Sequence, residues 1–563
     1  MVDIKKRQAV MRTGFMRDPY SSNQWLQVIK PCDNHLSHTF IYGLEEVETE
    51  EQALALYHED CATDFGAYAL TTGNLVRSRL VHVQSTGRHL LLIQIHHIIF
   101  DGLSHQLFWH DFSTLYAKAV SEKPGVSDDV VSSCMKLPQL EPMPLQLIDL
   151  TQWQLDTSAH PEMKKQRQYW KKQLREGRLP LLAFPEDNPR PNERTWKGWV
   201  SEVSLYAVFP YQRPCLTVHY RCPLLAQSIP LVIQPDVGRR LVQLGKEEKC
   251  TPFQVILALW SLVLCRHTGQ EEVVVGCAFG GREQDTGLSK VIGFMVNYLA
   301  MRVEVPKDTS SGSIRQYLRS TRETVTDGIL NGALPYNQIV NECLPSLNYE
   351  SNRPQVFQTM LSMAGTDGWA NHVDAEQFAS AGAEITPIAQ ATWDRCKSDV
   401  RIRAHQLSNG GFKGDIEFNS DVYSHERIKA LSESLVELAT SFAFAADDDS
   451  VWSIPMKKYQ EPESRQLARQ ASIRRKSCRR TSFLALQSST LRAISDAASA
   501  FDEGRRQSLI CVGGKRKRQS SCLTICDAAS VSDDERRKSL ICTGGKRKRK
   551  RNDSMNMSAI VAC

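Results

Sequence analysis

Residues 91–102 read LLIQIHHIIFDG: an apolar run of strand length, two adjacent histidines, then an Asp-Gly pair. Of all the stretches in the chain this one restricts the fold most, because a buried strand that ends on two imidazoles must open onto a cleft or a surface. Neighbouring residues on a strand face opposite sides, so one of His96 and His97 is expected to point into a cleft while the other packs. Asp101, four residues past His97, is placed to hold the loop, and Gly102 is expected where the chain turns out of the strand. Residues 103–116 follow with apolar side chains at 103, 107, 108, 112 and 115, a helical spacing with one face toward a core. His105 and His110 are read as surface or packing residues of that helix.

The chain has 563 residues, more than one core accommodates, so two lobes and an additional segment are expected. It contains no run of 18 or more apolar residues, and the opening MVDIKKR runs straight into polar sequence without a signal peptide. A cytoplasmic location follows as an expectation, with no membrane partner. The 16 cysteines include no CxxC pair, which predicts reduced thiols and no metal site. Charge marks a boundary. Residues 461–563 carry 23 Lys plus Arg against 10 Asp plus Glu, an excess of 13, while the rest of the chain has a net charge of −7.

The HHxxxDG pattern over His96, His97, Asp101 and Gly102 resembles the signature of the condensation domains of non-ribosomal peptide synthetases. Other segments resemble that family in the same order. Residues 7–15 are similar to RHxxLRTxF, with Gln8 for His and Met11 for Leu; the resemblance gives Arg7 and Arg12 a role in supporting the fold around the cleft. Residues 144–154, including Trp153, are similar to LPxQYxDFAxWQ, and residues 168–174 and 179–187 to YWxxxL and LxLPxD. In the second half, Thr251 and Pro252 open a strongly apolar helix as cap and first helical residue. Residues 269–276 read as a turn into a buried strand, and Gly281-Arg282 is similar to the family's GR turn. Residues 292–302 resemble IGxFVNTxxxR with Met295 in place of Phe and Tyr298 in place of Thr, which implies that Asn297 is a positioning residue in the cleft floor. Residues 334–336, 354–358 and 414–421 match three further pieces, so the resemblance covers about residues 7–445 and lapses over 200–228.

The basic tail is an internal repeat. Arg-Arg-Lys-Ser or Arg-Arg-Gln-Ser recurs at residues 474, 505 and 536, a period of 31, and the last two units share DAAS upstream and GGKRKR downstream. Its polarity predicts disorder. Ser477, Ser482, Ser508 and Ser539 follow Arg-Arg-x and are candidate sites for basophilic kinases. The clusters at residues 515–518 and 546–551 would bind nucleic acid only through phosphate charge, without sequence preference, and are the alternative route to a nuclear location.

The resemblance implies an α/β fold of two chloramphenicol-acetyltransferase-like lobes around a V-shaped cleft. The expected division is an N-terminal lobe over 1–195, an inter-lobe insertion over 196–230, a C-terminal lobe over 231–449 and a disordered tail over 450–563. Family members carry a strand and helix before the segment matched at residue 7, so the N-terminal lobe is expected to be truncated. The implied reaction is amide formation between thioesters held on phosphopantetheine arms of partner carrier domains, with no cofactor bound by this chain. His97 is the implied catalytic residue; His96, Asp101, Gly102, Arg7, Arg12, Trp153, Arg282 and Asn297 are its supports. The competing readings are an inactive remnant, another HHxxxDG acyltransferase, and a nucleic-acid-binding protein acting through its tail.

Overall fold

The computed structural model describes residues 2–20, 25–31, 41–62, 65–122, 124, 140–175, 179–192, 199–200, 205–210, 228–282, 287–306, 312–344, 356–365, 383–389, 394–395, 398–446 and 448–457. All of them belong to one compact unit. The N-terminal helix α1 (Val2–Arg7) leads through a 3-10 turn into β1 (Thr13–Arg17), which pairs antiparallel with β2 (Trp25–Ile29).

A five-stranded sheet follows. Its order is β12 (Ala383–Ala389), β7 (Leu205–Pro210), β5 (Arg88–Ile95), β4 (Val76–Val83) and β3 (Ile41–Val47). Alternation along β4 and β5 buries Val81, Val83, Leu90 and Leu92 on one side, where Ala53 and Tyr57 of α2 (Glu50–Ala62) pack. A second cluster joins α1, the short α3 (Gly66–Thr72) and α4 (Gly102–Ser121), and includes Ile4, Met11, Leu75, Phe108 and Trp109.

The second sheet has six strands. Their order is β10 (Asn297–Glu304), β9 (Glu272–Phe279), β11 (Thr359–Ala364), β14 (Val400–Gln406), β15 (Phe412–Phe418) and β8 (Ile229–Ile233). Helices α7 (Pro235–Glu247), α8 (Pro252–Thr268), α9 (Ile314–Leu330) and α10 (His425–Phe444) contribute to its core. Helix α8 sits at the centre and is buried at every position from Gln254 to Cys265, which is why its sequence is apolar all round rather than striped. As expected, Thr251 caps it, reciprocally with Gln254, and Pro252 occupies its first turn. No single helix among the described residues is long and apolar enough to cross a membrane.

The expected division of the chain needs four corrections. Residues 205–210, assigned to an insertion, form β7, which pairs antiparallel with β5 from Leu205↔Leu92 to Val208↔His89. A sheet edge presents unpaired amides and carbonyls, and this strand satisfies those of β5. Strand β12, from the second half of the chain, continues the first sheet. The connection after α5 (Leu147–Thr157) belongs by packing to the second core, which takes in Met163 and Trp170 of α6 (Pro161–Gln173) and then Leu174, Leu182 and Phe184. Finally, residues 450–457 are not tail: Val451 and Ile454 are buried, and Ser450 bridges Ser313. The remaining strands, β6 (Trp199–Val200) and β13 (Asp394–Arg395), pair with each other. Residues 211–227 and everything after 457 lie outside the described residues.

Candidate active site

The strand that leads to the histidines ends two residues earlier than the sequence suggests. β5 stops at Ile95, paired with Val76, and the His96 amide makes a last bond to the Leu75 carbonyl at 2.9 Å. His96 then caps a 3-10 turn over His97–Ile99, its Nδ1 accepting the Ile98 amide at 3.0 Å. Neither imidazole is therefore placed by strand alternation. A side-chain acceptor at His96 takes over the backbone hydrogen bonding and turns the chain. His96 is half-buried against the edge of Phe65, whereas His97 is exposed, with the ring of Phe294 edge-on at 5.2 Å. The turn expected at Gly102 is this 3-10 turn, and Gly102 is instead the first residue of α4.

Asp101 is 2% exposed and serves both lobes. Its Oδ1 accepts the Ser104 amide at 3.0 Å and the Ser104 hydroxyl at 2.8 Å, capping α4. Its Oδ2 accepts from Arg282 at 2.8 Å and from the Met295 amide at 3.0 Å, both in the connection between β9 and β10. Arg282 is also buried and directs its remaining donors to the Ser104 hydroxyl and the carbonyls of Gly280, Val291 and Gly293. A buried charge is tolerated when paired and fully hydrogen-bonded, and this pair meets both conditions. Gly281 makes the approach possible: its φ is +70°, and a Cβ there would stand 2.4 Å from the Met295 carbonyl oxygen.

Helix α4 faces its core differently from its apolar spacing. Ser104, Phe108, Trp109 and Asp111 are buried, while Leu103, Leu107, Phe112 and Leu115 are half-buried. The polar residues go inward because each meets a partner there. Asp111 accepts from Arg7 Nε at 3.0 Å and from Gln8 Nε2 at 3.1 Å. Gln8, fully buried where the family pattern has His, also donates to the Lys290 carbonyl and accepts the Ile292 amide at 3.1 Å. Arg12 donates to the carbonyls of Lys5 at 3.2 Å and Lys30 at 2.6 Å, which binds α1 to the end of β2.

Asn297 uses its whole side-chain amide on backbone. It donates to the carbonyls of Gly332 and Leu334 at 2.9 Å each and accepts the amides of Tyr298 and Tyr336. It thus fixes the start of β10 to the turn after α9. Trp153 is 46% exposed on α5; the buried tryptophan of this region is Trp170, whose indole donates to the Asn331 carbonyl. The structure therefore gathers His96, His97, Asp101, Gly102, Arg282 and Arg7 around one junction and sets Trp153 on the surface. Ser104 and Asp111 were missed by sequence reasoning. Asp101-x-x-Ser104 has capping-box spacing, and Asp111 stands two turns beyond Ser104 on the same face, so both were legible as positions though not as partners. Ser477, Ser482, Ser508 and Ser539 lie outside the described residues.

Comparison with known proteins identifies the family to which this two-sheet domain belongs. The model of the condensation domain matches residues 1–449, and the chain belongs to that family. Bacitracin synthase 1 of Bacillus licheniformis is 25% identical over 436 residues, a match covering 77% of this chain and 7% of that protein. Malpinin synthetase of Mortierella alpina is 25% identical over 363 residues, which cover 64% of this chain and 4% of that one. Among solved structures, the X-domain from teicoplanin biosynthesis superposes with a TM-score of 0.61 at 17% identity, covering 81% of this chain and 88% of that one. The first condensation domain of the CDA synthetase gives 0.53 at 15% identity, with 81% and 89% covered. The fold is thus the two-lobe α/β fold expected from the sequence. The chain itself spans only a small share of the synthetases it resembles.

Proposed function

We propose that this condensation domain joins an acyl group and an amine, each presented as a thioester on the phosphopantetheine arm of a separate carrier domain, to form an amide. The amine nitrogen attacks the acyl thioester carbon, the C–N bond forms, the C–S bond breaks, and the proton lost by nitrogen leaves with the thiol. The observation that carries this reading is the exposed imidazole of His97 at the lobe junction, beside a backbone held by the buried pair of Asp101 and Arg282. A histidine there can accept a hydrogen bond from the attacking amine, a contribution of roughly 10²–10⁴ in rate for a positioned base. Holding two tethered reactants in line is worth about 7–11 kcal/mol more. Carrier domains of a larger synthetase are the partners that this reading requires, in keeping with the length of the relatives.

The test incubates the protein with one acyl-loaded and one aminoacyl-loaded carrier domain and follows transfer by intact-protein mass spectrometry. His97→Ala is expected to slow product formation by about 10²–10⁴-fold with an unchanged circular dichroism spectrum. A folded His97→Ala protein at the wild-type rate would refute the assignment. Offering a hydroxyacyl carrier in parallel separates amide formation from ester-forming acyl transfer.

A further inference from the structure

We propose that Phe294 is a positioning residue for His97, setting the orientation of its imidazole across the lobe junction; this rests on the amide-forming reading of the site. In the run 291–295, Val291, Ile292, Gly293 and Met295 are buried and Phe294 alone is half-buried. The backbone on either side of it is pinned by side chains of the first lobe. The Ile292 amide bonds to Gln8 Oε1, the Gly293 amide to Ser104 Oγ and the Met295 amide to Asp101 Oδ2, at 3.1, 3.1 and 3.0 Å. Arg282 holds the Gly293 carbonyl at 2.9 Å, and the Ile292 side chain is sunk in the core shared by α1 and α4.

With both flanks fixed, the freedom left to residue 294 is that of its side chain. The ring comes to rest 5.2 Å from the His97 imidazole, with an interplanar angle of 72°. Edge-on contact of this kind favours one mutual orientation over others. One carboxylate sets both ends of the contact, since Asp101 caps the helix that follows His97 with Oδ1 and anchors the residue after Phe294 with Oδ2. In the run 292–298 Phe294 is flanked by backbone that is held by other side chains, so the turn does not depend on its ring.

The experiment compares Phe294→Ala and Phe294→Tyr with the wild type in two measurements. In the first, carrier-dependent amide formation is fitted for kcat and KM. Phe294→Ala is expected to lower kcat about three- to tenfold with KM unchanged, the scale of one aromatic contact, and Phe294→Tyr to restore it. In the second, histidine-labelled protein is examined by NMR. The His97 three-bond side-chain couplings, with resonances assigned by their loss in His97→Ala, are expected to report one χ1 rotamer in the wild type, averaged rotamers in Phe294→Ala and one rotamer again in Phe294→Tyr; unlike the chemical shifts, these couplings are not moved by loss of the ring current alone. A Phe294→Ala protein with the wild-type melting temperature and unchanged His97 couplings would overturn the proposal. So would a raised KM with kcat retained, which would make Phe294 a substrate contact. If the wild type forms no amide with any carrier pair, the reaction assignment fails while the couplings still decide whether Phe294 orients His97.

Discussion

His96 and His97 are chemically identical neighbours with opposite surroundings. One ring nitrogen of His96 is committed to the Ile98 amide, whereas His97 stands exposed beside Phe294. The motif names both, and only the 3-10 turn gives them different surroundings. Asp101 is the residue on which the junction depends most, since it caps a helix, neutralises Arg282 and binds the Met295 amide while almost wholly buried. Asp101→Ala would strand a buried guanidinium, and removal of one partner of such a pair costs about 3–5 kcal/mol. Chemical denaturation is expected to show that loss as a lowered midpoint. In the double variant Asp101→Ala with Arg282→Met the loss should be partly recovered, because the unpaired charge is gone. Equal midpoints for the single and double variants would show that the pair is not coupled.

At the scale of elements, α8 and α4 illustrate two ways in which a helix meets a core. Helix α8 is legible from its sequence: Thr251, Pro252 and a run that is apolar except at Gln254 and Ser261 give its start, and Gly269 its end in the left-handed region at φ 75°. Thr251→Ala is expected to cost about 0.5–2 kcal/mol through loss of the cap. Burial around α8 also disarms its thiol. Desolvation, with Glu272 as a smaller contributor, pushes Cys265 up to about 12, and burial likewise raises Cys250, Cys277 and Cys343. These four are therefore protonated at pH 8 and shielded from reagents. Iodoacetamide followed by peptide mass spectrometry should leave them unlabelled in the native protein and label all four in guanidinium chloride. The apolar spacing of α4 predicts the helix but displaces its inward face, because the desolvation of Ser104 and Asp111 is offset by partners on α1 and in the 282–295 connection.

At the scale of the whole molecule, the core of the second sheet is stitched by segments far apart in sequence. Residues 450–457 close the second core: the Val451 amide bonds to the Gly312 carbonyl, Arg266 to the Ile454 carbonyl and Ser434 to the Lys457 carbonyl. A chain ended at residue 449 should melt well below one ended at 459, since each buried aliphatic contributes about 1.5–3 kcal/mol. A second tie, Asp187 with Arg427, joins the connection after α6 to α10. Burial alone would raise the Asp187 carboxyl, but the hydrogen bonds from Arg427 and Ser424 outweigh it and hold the group below its ordinary value. The folded state thus binds this proton less readily than the unfolded chain. The stabilisation is complete above the usual carboxylate range, near pH ~3.9, and is lost as pH falls through the lower folded value. Asp187→Asn is expected to flatten the decline of stability with acid; an unchanged acid limb would show that other carboxylates govern it.

By itself the sequence determined the apolar central helix, through its cap and composition, and, through motif spacings that resemble the family, the family itself, the two-lobe α/β architecture and the residues gathered at the junction other than Ser104 and Asp111. Each of these signals is written locally. Which face of α4 turns inward, that β7 and β12 complete the first sheet, that residues 450–457 close the second core, and that Trp153 stays on the surface were decided by the tertiary structure. The physical reason is common to all four. Burying a side chain or completing a sheet edge depends on whether a distant segment supplies the matching surface and hydrogen bonds, and that pairing is absent from any local window of sequence.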